Sequence, residues 1–271
     1  MRFHLITPVL NGGAFLRHAI ASVRAQTWPD WTLSILDAGS TDGSVEVAEA
    51  AAAEDARITV AIAPDKGQYD ALRRGFDQSD ADVLGWLNSD DLLTPWSMQT
   101  AAACFEQGGR WVTGQPALWD AHGRQAAVRP LGPAPRWVIR RGWLHDGLLG
   151  CLQQESTYFS ASLWSGLSRA ERDRFAAFRL AGDFYLWTRF AQSASLCVLP
   201  SVLGGFRVHD GNRSRINADL YLDEARACGA FMPPAWIAKR LRGAYDRLTA
   251  LRALQNFRKA AAGLHDAVKA R

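Results

Sequence analysis

"FHLITPVLNGGAFLRHAIASVRAQTWPDWTLSILDAG" occupies residues 3–39. Residues 3–10 are typical of a β-strand, residues 14–26 have the apolar spacing of an amphipathic helix, and residues 32–39 are again typical of a strand. A strand, a helix and a second strand in this order predict the first unit of a parallel sheet covered by helices.

The same alternation continues toward the C-terminus. Helices are predicted at 41–54 and 67–78, and strands at 58–64 and 82–88. Together these segments predict an α/β fold with a Rossmann-like, mostly parallel sheet flanked by helices. In such sheets ligands bind beyond the carboxyl ends of the strands.

The pattern becomes less regular after residue 110. We expect a strand or hairpin arm at 110–120, and strand-containing segments at 156–164 and 197–209 around a helix at 182–193. A long helical pattern follows Pro233 and Pro234 and continues to the end of the sequence.

The composition is that of an ordinary globular protein. Of 271 residues, 48% are hydrophobic and 21% are charged, which is enough to build one large α/β domain with a small appendage. The four cysteines form no CxxC pair, which argues against a zinc cluster or a disulfide framework and is typical of a reducing compartment. The sequence contains neither a signal-peptide pattern nor an apolar run long enough for a transmembrane helix, so we expect a cytoplasmic protein.

The C-terminal segment is basic and amphipathic. Residues 236–271 contain nine Lys or Arg and two Asp. Apolar residues recur there at spacings of three or four. This pattern predicts peripheral contact with the inner face of a membrane. Alternatively, the apolar stripe packs on the catalytic domain or on a second subunit in a homodimer. Gly243 and Gly263 weaken a single continuous helix, and we expect no nucleic-acid partner because no such motif accompanies the charge.

Acidic residues stand at two predicted strand ends. The fourth strand ends in Asn88-Ser89-Asp90-Asp91, and crowded carboxylates there need a cation or water. Mg²⁺ and Mn²⁺ prefer such oxygen ligands; alternatively, one aspartate caps the next helix, which lies within residues 95–107.

Asp37 ends the second strand before "AGSTDGS". A carboxylate there could accept an N–H from a nucleobase. The alternative is an ordinary turn residue.

Five stretches, taken in order, resemble the family 2 glycosyltransferases of the GT-A fold. They are "ITPVLNGGAFLRHAIASVRAQTW" (6–28), "ILDAGSTDGS" (35–44), "PDKGQYDALRRGFDQSDADVLGWLNSDD" (64–91), "GDFYLWTRF" (182–190) and "FRVHDGNRS" (206–214). The resemblance implies an inverting transferase that moves a sugar from a nucleoside-diphosphate sugar, with UDP or dTDP favoured, to a saccharide or lipid-linked hydroxyl. It also implies a divalent Mn or Mg cofactor and a place in polysaccharide or glycolipid biosynthesis.

The resemblance also implies roles for individual residues. Asp183 matches the catalytic base, and Asp90 matches the metal-binding carboxylate of the DxD motif, with His209 completing the metal shell. The implied nucleotide-binding residues are Thr7, Pro8, Asn11, Asp37, Asp65 and Asn88. The implied diphosphate-binding residues are Arg207, Arg213 and Ser214.

Three points remain open in this interpretation. Asn88 stands where the motif has Asp, and one fewer negative charge could weaken metal affinity. Asp183 lies near the start of a helix, where the dipole keeps a carboxylate ionised, or it is simply an N-cap. His209 could equally be structural.

The resemblance divides the chain into three parts. Residues 1–120 form the nucleotide-sugar-binding half, residues 121–215 the acceptor-binding and catalytic half of the same domain, and residues 216–271 a C-terminal helical extension. A non-catalytic nucleotide-sugar-binding subunit with the same fold is the alternative function, and Asn88 is the feature that favours it. A sugar nucleotidylyltransferase would need a Gly-rich phosphate loop with basic residues, which "NGGAFLRH" (11–18) matches poorly.

Overall fold

A computed structural model describes residues 1–132 and 134–269, with side chains for all of these except 214, 215 and 256–269. The strands are β1 (Phe3–Val9), β2 (Trp31–Asp37), β3 (Ile58–Ile62), β4 (Val83–Trp86), β5 (Leu92–Leu93), β6 (Trp111–Thr113), β7 (Ala117–Trp119), β8 (Gln125–Val128), β9 (Thr157–Ser160), β10 (Cys197–Val198) and β11 (Gly204–Arg207). The helices are α1 (Phe15–Arg24), α2 (Ser44–Glu54), α3 (Gln68–Gln78), α4 (Ser97–Glu106), α5 (Arg136–Arg140), α6 (Ala161–Ser165), α7 (Arg169–Ala176), α8 (Gly182–Phe190), α9 (Arg213–Ile216), α10 (Ala218–Ala227) and α11 (Ala235–Lys269), and a 3₁₀ turn spans Gln154–Ser156.

The main sheet is mostly parallel. Within the described residues it has seven strands in the order β10-β6-β9-β4-β1-β2-β3. β1 is central and runs parallel to β2 and β4, whereas β9 is antiparallel to both of its neighbours. This arrangement confirms the predicted α/β fold.

Helices cover both faces of this sheet. Leu5 and Ile6 are adjacent in β1, yet they belong to different hydrophobic clusters, because successive side chains of a strand point to opposite faces. Both residues are fully buried, as expected for a central strand of a sheet covered on both sides.

A second, smaller sheet lies beside the end of β4. Its four strands, counted over the described part of the chain, have the order β5-β11-β7-β8. β5 follows Asp91 directly, and β11 ends at Arg207, so this sheet brings the loop after β4 next to the segment after β11.

The irregular part of the chain follows the sequence prediction with differences in detail. Residues 110–120 form two strands in different sheets, β6 and β7, and β7 is the predicted hairpin arm because it pairs with β8 in an antiparallel hairpin. The strand within residues 156–164 ends at Ser160 and gives way to α6, and residues 197–209 contribute one strand to each sheet. The chain leaves the main sheet at Gly114, where an added Cβ would lie 2.7 Å from the backbone oxygen of Ser201.

The C-terminal segment forms one long helix, α11. Gly243 was expected to weaken a continuous helix, but α11 passes through it without a break. Ala238, Leu241 and Tyr245 pack against the larger core cluster. None of the described helices is both long and apolar enough to span a bilayer.

Candidate active site

A cavity of about 1160 Å³ opens at the carboxyl ends of β1 and β4. Its wall includes the loop after β1, the loop after β4, the start of α8 and the segment after β11. The predicted site residues that line it are Pro8, Asn11, Asp65, Asn88, Asp90, Asp183, His209 and Arg213.

Asp90 and His209 form a pair in this cavity. His209 Nε2 lies 2.9 Å from Asp90 Oδ2, and Asn212 Nδ2 lies 3.4 Å from the same oxygen. The Gly211 N–H donates to His209 Nδ1 at 3.1 Å, so Nε2 is left to donate to the carboxylate. The structure therefore brings together the two residues that were predicted to bind metal.

Asp91 joins the loop after β4 to the end of β11. Its Oδ1 accepts the Arg207 backbone N–H at 2.9 Å, and its Oδ2 accepts from Asn88 Nδ2 at 3.1 Å. Asp91 is fully buried, and this burial raises the pKa of its carboxyl well above the usual range, with a further increase from Glu155 and Asp90. The predicted alternative, in which Asp90 or Asp91 caps the next helix, is wrong because α4 begins only at Ser97.

The side chains around Asp90 suit a divalent ion that is bound together with a diphosphate. Among the described residues there is no cluster of three or more His, Cys, Asp or Glu that could hold a metal alone. Asp90 would supply an oxygen donor, and His209 would supply Nε2 once that nitrogen has given up its proton. The Asn88 Oδ1 is buried without a hydrogen-bond partner among the described residues. Mg²⁺ and Mn²⁺ commonly use one or two carboxylates and complete their shell with substrate phosphates and water.

The predicted nucleotide-binding residues lie at or behind the rim of the cavity. Asp37 is buried, and its Oδ1 accepts the N–H groups of Gly39 at 2.8 Å and Ser40 at 2.7 Å. Its Oδ2 has no partner among the described residues. Asp37 therefore shapes the turn and keeps one oxygen available. Asp37 and Thr7 do not line the cavity, although Ala38 does.

Asn11 and Asp65 organise loops at the cavity. Asn11 adopts a left-handed conformation with φ 55°, and its Oδ1 accepts the Thr41 N–H at 2.9 Å. Asp65 Oδ1 accepts the Gly67 N–H at 2.8 Å. Both side chains thus fix the backbone that a nucleotide in the cavity would meet.

Asp183 is the second residue of α8, not its N-cap, which is Ala181. Burial raises the pKa of Asp183 to about 7. The Phe184 N–H, which donates to Asp183 Oδ1, lowers this pKa, and the charge of Asp146 raises it further. Burial therefore opposes the effect that was expected of the helix N-terminus, which is to keep Asp183 ionised. A pKa near neutrality suits a general base.

Glu224 fixes the backbone in front of Asp183. Its carboxylate accepts the N–H groups of Arg179, Leu180 and Ala181 at 2.9, 2.9 and 2.8 Å. Glu224 was not predicted from the sequence, because it lies on α10, about forty residues from Asp183, with no recognisable motif around it.

Arg207 does not reach the cavity. Its side chain is fully buried, with the guanidinium 4.7 Å from the centre of the Phe15 ring and Nη1 3.1 Å from His18 Nδ1. Arg207 was predicted to contact the diphosphate, but its side chain packs inside the protein instead. Arg213, the other arginine of this prediction, does line the cavity. The side chain of Ser214 lies outside the described residues.

Two further polar residues of the cavity wall, Gln154 and Glu155, were also missed. Both are buried, with 9% and 4% of their surface exposed. The polar run "QQES" (153–156) before an apolar strand was the available signal.

Comparison with known proteins agrees with this geometry. The family profile "Glycosyl transferase family 2" matches residues 4–158. The chain belongs to this family. The resemblance stated from the sequence is therefore confirmed. The match ends before Asp183 and His209, so the roles of these two residues rest on the geometry of the cavity.

Curated relatives of this family 2 chain match its N-terminal part. The "PGL/p-HBAD biosynthesis glycosyltransferase" of Mycobacterium bovis is 36% identical over 104 residues, which is 38% of this chain and 41% of that protein. The "O-antigen biosynthesis protein RfbC" of Myxococcus xanthus is 34% identical over 104 residues, which is 37% of this chain and 8% of that protein. The chain thus matches about two fifths of the mycobacterial relative and much less of the second.

Solved structures share the fold over more of the family 2 chain. S. aureus TarS 1-349 in complex with UDP-GlcNAc has a TM-score of 0.62 and 14% identity, covering 79% of this chain and 61% of TarS 1-349. Mannosyltransferase PcManGT from Pyrobaculum calidifontis, in complex with GDP-Man and Mn²⁺, has a TM-score of 0.59 and 17% identity, covering 99% of this chain and 79% of that protein. The predicted GT-A fold is therefore confirmed.

Proposed function

We propose that this chain is an inverting glycosyltransferase that moves a sugar from a nucleoside-diphosphate sugar to a hydroxyl group of an acceptor. The observation that carries the proposal is that the Asp90–His209 pair and Asp183 line one cavity. Residues suited to a metal-bound diphosphate and a carboxyl suited to proton transfer thereby face the same space. The membership in family 2 supports this proposal.

The reaction is a single displacement. The acceptor oxygen attacks the anomeric carbon from the face opposite the diphosphate, and Asp183 takes the proton of the attacking hydroxyl. The bond between the anomeric carbon and the diphosphate oxygen breaks as the new bond forms, so the configuration inverts and no covalent sugar–enzyme intermediate arises.

In this proposal Arg213 binds the leaving diphosphate directly, whereas Asp90 and His209 would act on it through a divalent ion. A divalent ion held by Asp90 and His209 would neutralise the negative charge that develops on the diphosphate. The neighbour complexed with Mn²⁺ supports Mn or Mg as that ion. Arg213 lines the cavity and supplies a fixed positive charge that can hydrogen-bond phosphate oxygens.

The donor carries UDP or dTDP in our proposal. The resemblance around Asp37 supports this choice: Asp37 lies behind Ala38 of the cavity wall, and its Oδ2, which has no partner among the described residues, could accept the N3–H of uracil or thymine if the turn after β2 moved on binding. The neighbours were crystallised with UDP-GlcNAc and with GDP-Man, so the nucleotide is the first variable that an experiment must test.

The acceptor is a saccharide or a lipid-linked hydroxyl. Apolar side chains also line the cavity, among them Leu118, Val128, Leu131, Leu149 and Leu152. Relatives named for PGL/p-HBAD and O-antigen biosynthesis support a place in glycolipid or polysaccharide assembly. We accordingly place the acceptor half in residues 121–215, the nucleotide half in residues 1–120, and the protein at the cytoplasmic face of a membrane.

A thermal-shift panel tests the proposal. UDP-glucose, UDP-galactose, UDP-GlcNAc, a dTDP-sugar and GDP-mannose are each added with and without Mn²⁺. A ligand at a hundredfold excess over its Kd stabilises the folded state by about 2.7 kcal/mol. We expect one uridine or thymidine donor to raise the Tm only with the metal, and that donor to be hydrolysed or transferred. Binding without any turnover would favour the non-catalytic subunit, and absence of binding would contradict the proposal.

A further inference from the structure

Gln154 and Glu155 line the cavity, and three of their buried side-chain polar atoms make no hydrogen bond of normal geometry within the described part of the chain, although the Gln154 amide is near enough to lower the pKa of Glu155 slightly. Glu155 Oε1 and both amide atoms of Gln154 are buried without a hydrogen-bond partner there. Folded proteins pair nearly all such groups, because an unpaired buried polar atom is costly. Three of them on adjacent residues of one cavity wall therefore indicate a ligand that supplies the partners.

The backbone that carries this pair is fixed. The 3₁₀ turn Gln154–Ser156 packs against β4, β5 and β11. The Gln153 backbone oxygen accepts from Ser156 Oγ at 3.2 Å and from Thr157 Oγ1 at 2.8 Å. Gly204 lies directly against the backbone oxygen of Glu155, where any Cβ would collide. The pair therefore stays at the cavity wall.

Gln154 and Glu155 line the same cavity as Asp90 and Asp183, and the turn that carries them packs against β4, whose following loop holds Asp90. Burial raises the pKa of Glu155 to about 8, and the negative charges of Asp183 and Asp90 both add to the increase. In a single displacement, the transferred sugar occupies the space between the leaving diphosphate and the residue that takes the acceptor proton.

The chemistry of the pair fits a sugar rather than a phosphate. Burial raises the pKa of the Glu155 carboxyl and so favours its protonated form, which can both donate and accept a hydrogen bond. An amide also does both. Sugar hydroxyls need such dual partners, whereas a phosphate would call for positive charge.

We propose that Gln154 and Glu155 bind hydroxyl groups of the transferred sugar and thereby select it. This assignment rests on the proposed transferase function. The adjacent Gln153 gives a contrast, because its side chain is already used by the protein: Oε1 accepts the Ala117 N–H at 2.8 Å and Nε2 donates to the Ala117 oxygen at 3.2 Å.

Calorimetry with two ligands tests the assignment. The ligands are the donor that binds best in the panel and its free nucleoside diphosphate, each with Mn²⁺. In Glu155→Ala and in Gln154→Ala we expect the affinity for the donor to fall by roughly tenfold or more, the difference that one lost hydrogen bond makes. Affinity for the free diphosphate should stay within about twofold, because it lacks the sugar.

Two further variants separate this role from a structural one. Glu155→Gln keeps the shape and the ability to donate and accept, so it should retain donor affinity within about threefold. Gln153→Ala should lower the Tm while leaving the ratio of donor to diphosphate affinity unchanged. Glu155→Ala should leave the Tm of the ligand-free protein unchanged or higher, since it removes an unpaired buried group.

Three results would overturn the assignment. Equal losses for donor and diphosphate in Glu155→Ala would mean that Glu155 supports the diphosphate end instead. Unchanged donor affinity in both alanine variants would mean that neither residue contacts the sugar. Failure of the wild-type protein to bind any donor or diphosphate would remove the proposed function itself and this assignment with it, and the wild-type titration alone reveals that case.

Discussion

Asp90 Oδ2 and His209 Nε2 lie 2.9 Å apart, although 119 positions separate the two residues in the chain. The neighbouring Asp91 reinforces this contact, because its Oδ1 accepts the Arg207 backbone N–H at 2.9 Å. Two adjacent carboxylates therefore join the loop after β4 to the segment after β11. The buried Asp91 makes the hydrogen bonds that stabilise this junction, so the partly exposed Asp90 is not needed for them and is free to bind a ligand.

Replacing Asp90 should remove function with little loss of stability. Asp90→Asn keeps the side-chain shape but loses the charge that a divalent ion needs. The Asp90–His209 pair is partly exposed, at 27% and 16%, and such pairs contribute about 0–1 kcal/mol. We expect metal-dependent donor binding and transfer to disappear while the Tm changes little, as measured by thermal shift and a transfer assay. Asp210→Asn, at an exposed neighbouring position, is the matched control. Normal transfer by Asp90→Asn would rule out the metal role.

Asp183 should control the pH dependence of transfer. A general base must be ionised to act, and the pKa of Asp183 is about 7. We therefore expect kcat/KM to fall about tenfold per pH unit below neutrality and to level off above it. Asp183→Asn should lose roughly a hundredfold or more in kcat and keep its affinity for the nucleoside diphosphate. In Glu155→Gln the fall of kcat/KM below neutrality should be the same as in the wild type. This result would show that the fall reports the protonation of Asp183 and not that of Glu155. A normal turnover rate in Asp183→Asn would exclude it as the base.

Glu224 should affect catalysis through the position of Asp183. Glu224→Ala leaves three backbone N–H groups without their acceptor; water can replace it at the exposed Arg179, whereas Ala181 is buried, and an unsatisfied buried donor costs about 1–3 kcal/mol. We expect a lower Tm and a kcat reduced by at least about tenfold, with the KM for the donor little changed. Glu171 belongs to the capping box of α7 and does not line the cavity, so Glu171→Ala should lower the Tm without this loss of kcat. An equal loss of kcat in both variants would show that the effect is one of general destabilisation.

The regular half of the fold was predictable from local pattern. β1, α1, β2, α2, β3, α3 and β4 lie within a few residues of their predicted bounds, because each element shows a clear period and ends at a turn residue. The later strands have two to four residues each, which is too short for a periodic signal. Whether such a strand joins the main or the smaller sheet depends on tertiary contacts that no local window contains.

The candidate site was only partly predictable for a related reason. Asp90 and Asp183 stand in recognisable motifs, and the structure brings both to one cavity. Glu155 and Glu224 stand in no motif, and their importance arises from burial and from partners far away in sequence. Arg207 shows the opposite case: its motif suggested a phosphate ligand, but β11 ends with its side chain packed against Phe15 and His18.

The exposed leucines of α11 should mediate contact with an anionic membrane. The predicted apolar stripe divides in the structure: Leu241 packs on the catalytic domain, whereas Leu248, Leu251 and Leu254 are 56%, 58% and 48% exposed. Exposed leucines on a basic helix are typical of an interfacial anchor, because apolar burial and attraction to anionic lipid act together.

A triple variant, Leu248→Gln/Leu251→Gln/Leu254→Gln, tests this contact without changing the net charge. Because the three side chains are exposed, the Tm should stay nearly constant, whereas truncation at Pro233 would expose the core that α11 covers and destabilise the domain. We expect the wild-type protein to sediment with phosphatidylglycerol-containing vesicles at low salt, and the variant to lose at least about tenfold of that affinity, since burying one leucine contributes about 1.5–3 kcal/mol. Ala250→Gln/Ala253→Gln, on the same helix, should sediment like the wild type. If the wild type does not sediment, the predicted membrane contact is wrong. Light scattering would then test a subunit interface: a dimeric wild type and a monomeric triple variant would assign the leucines to that interface.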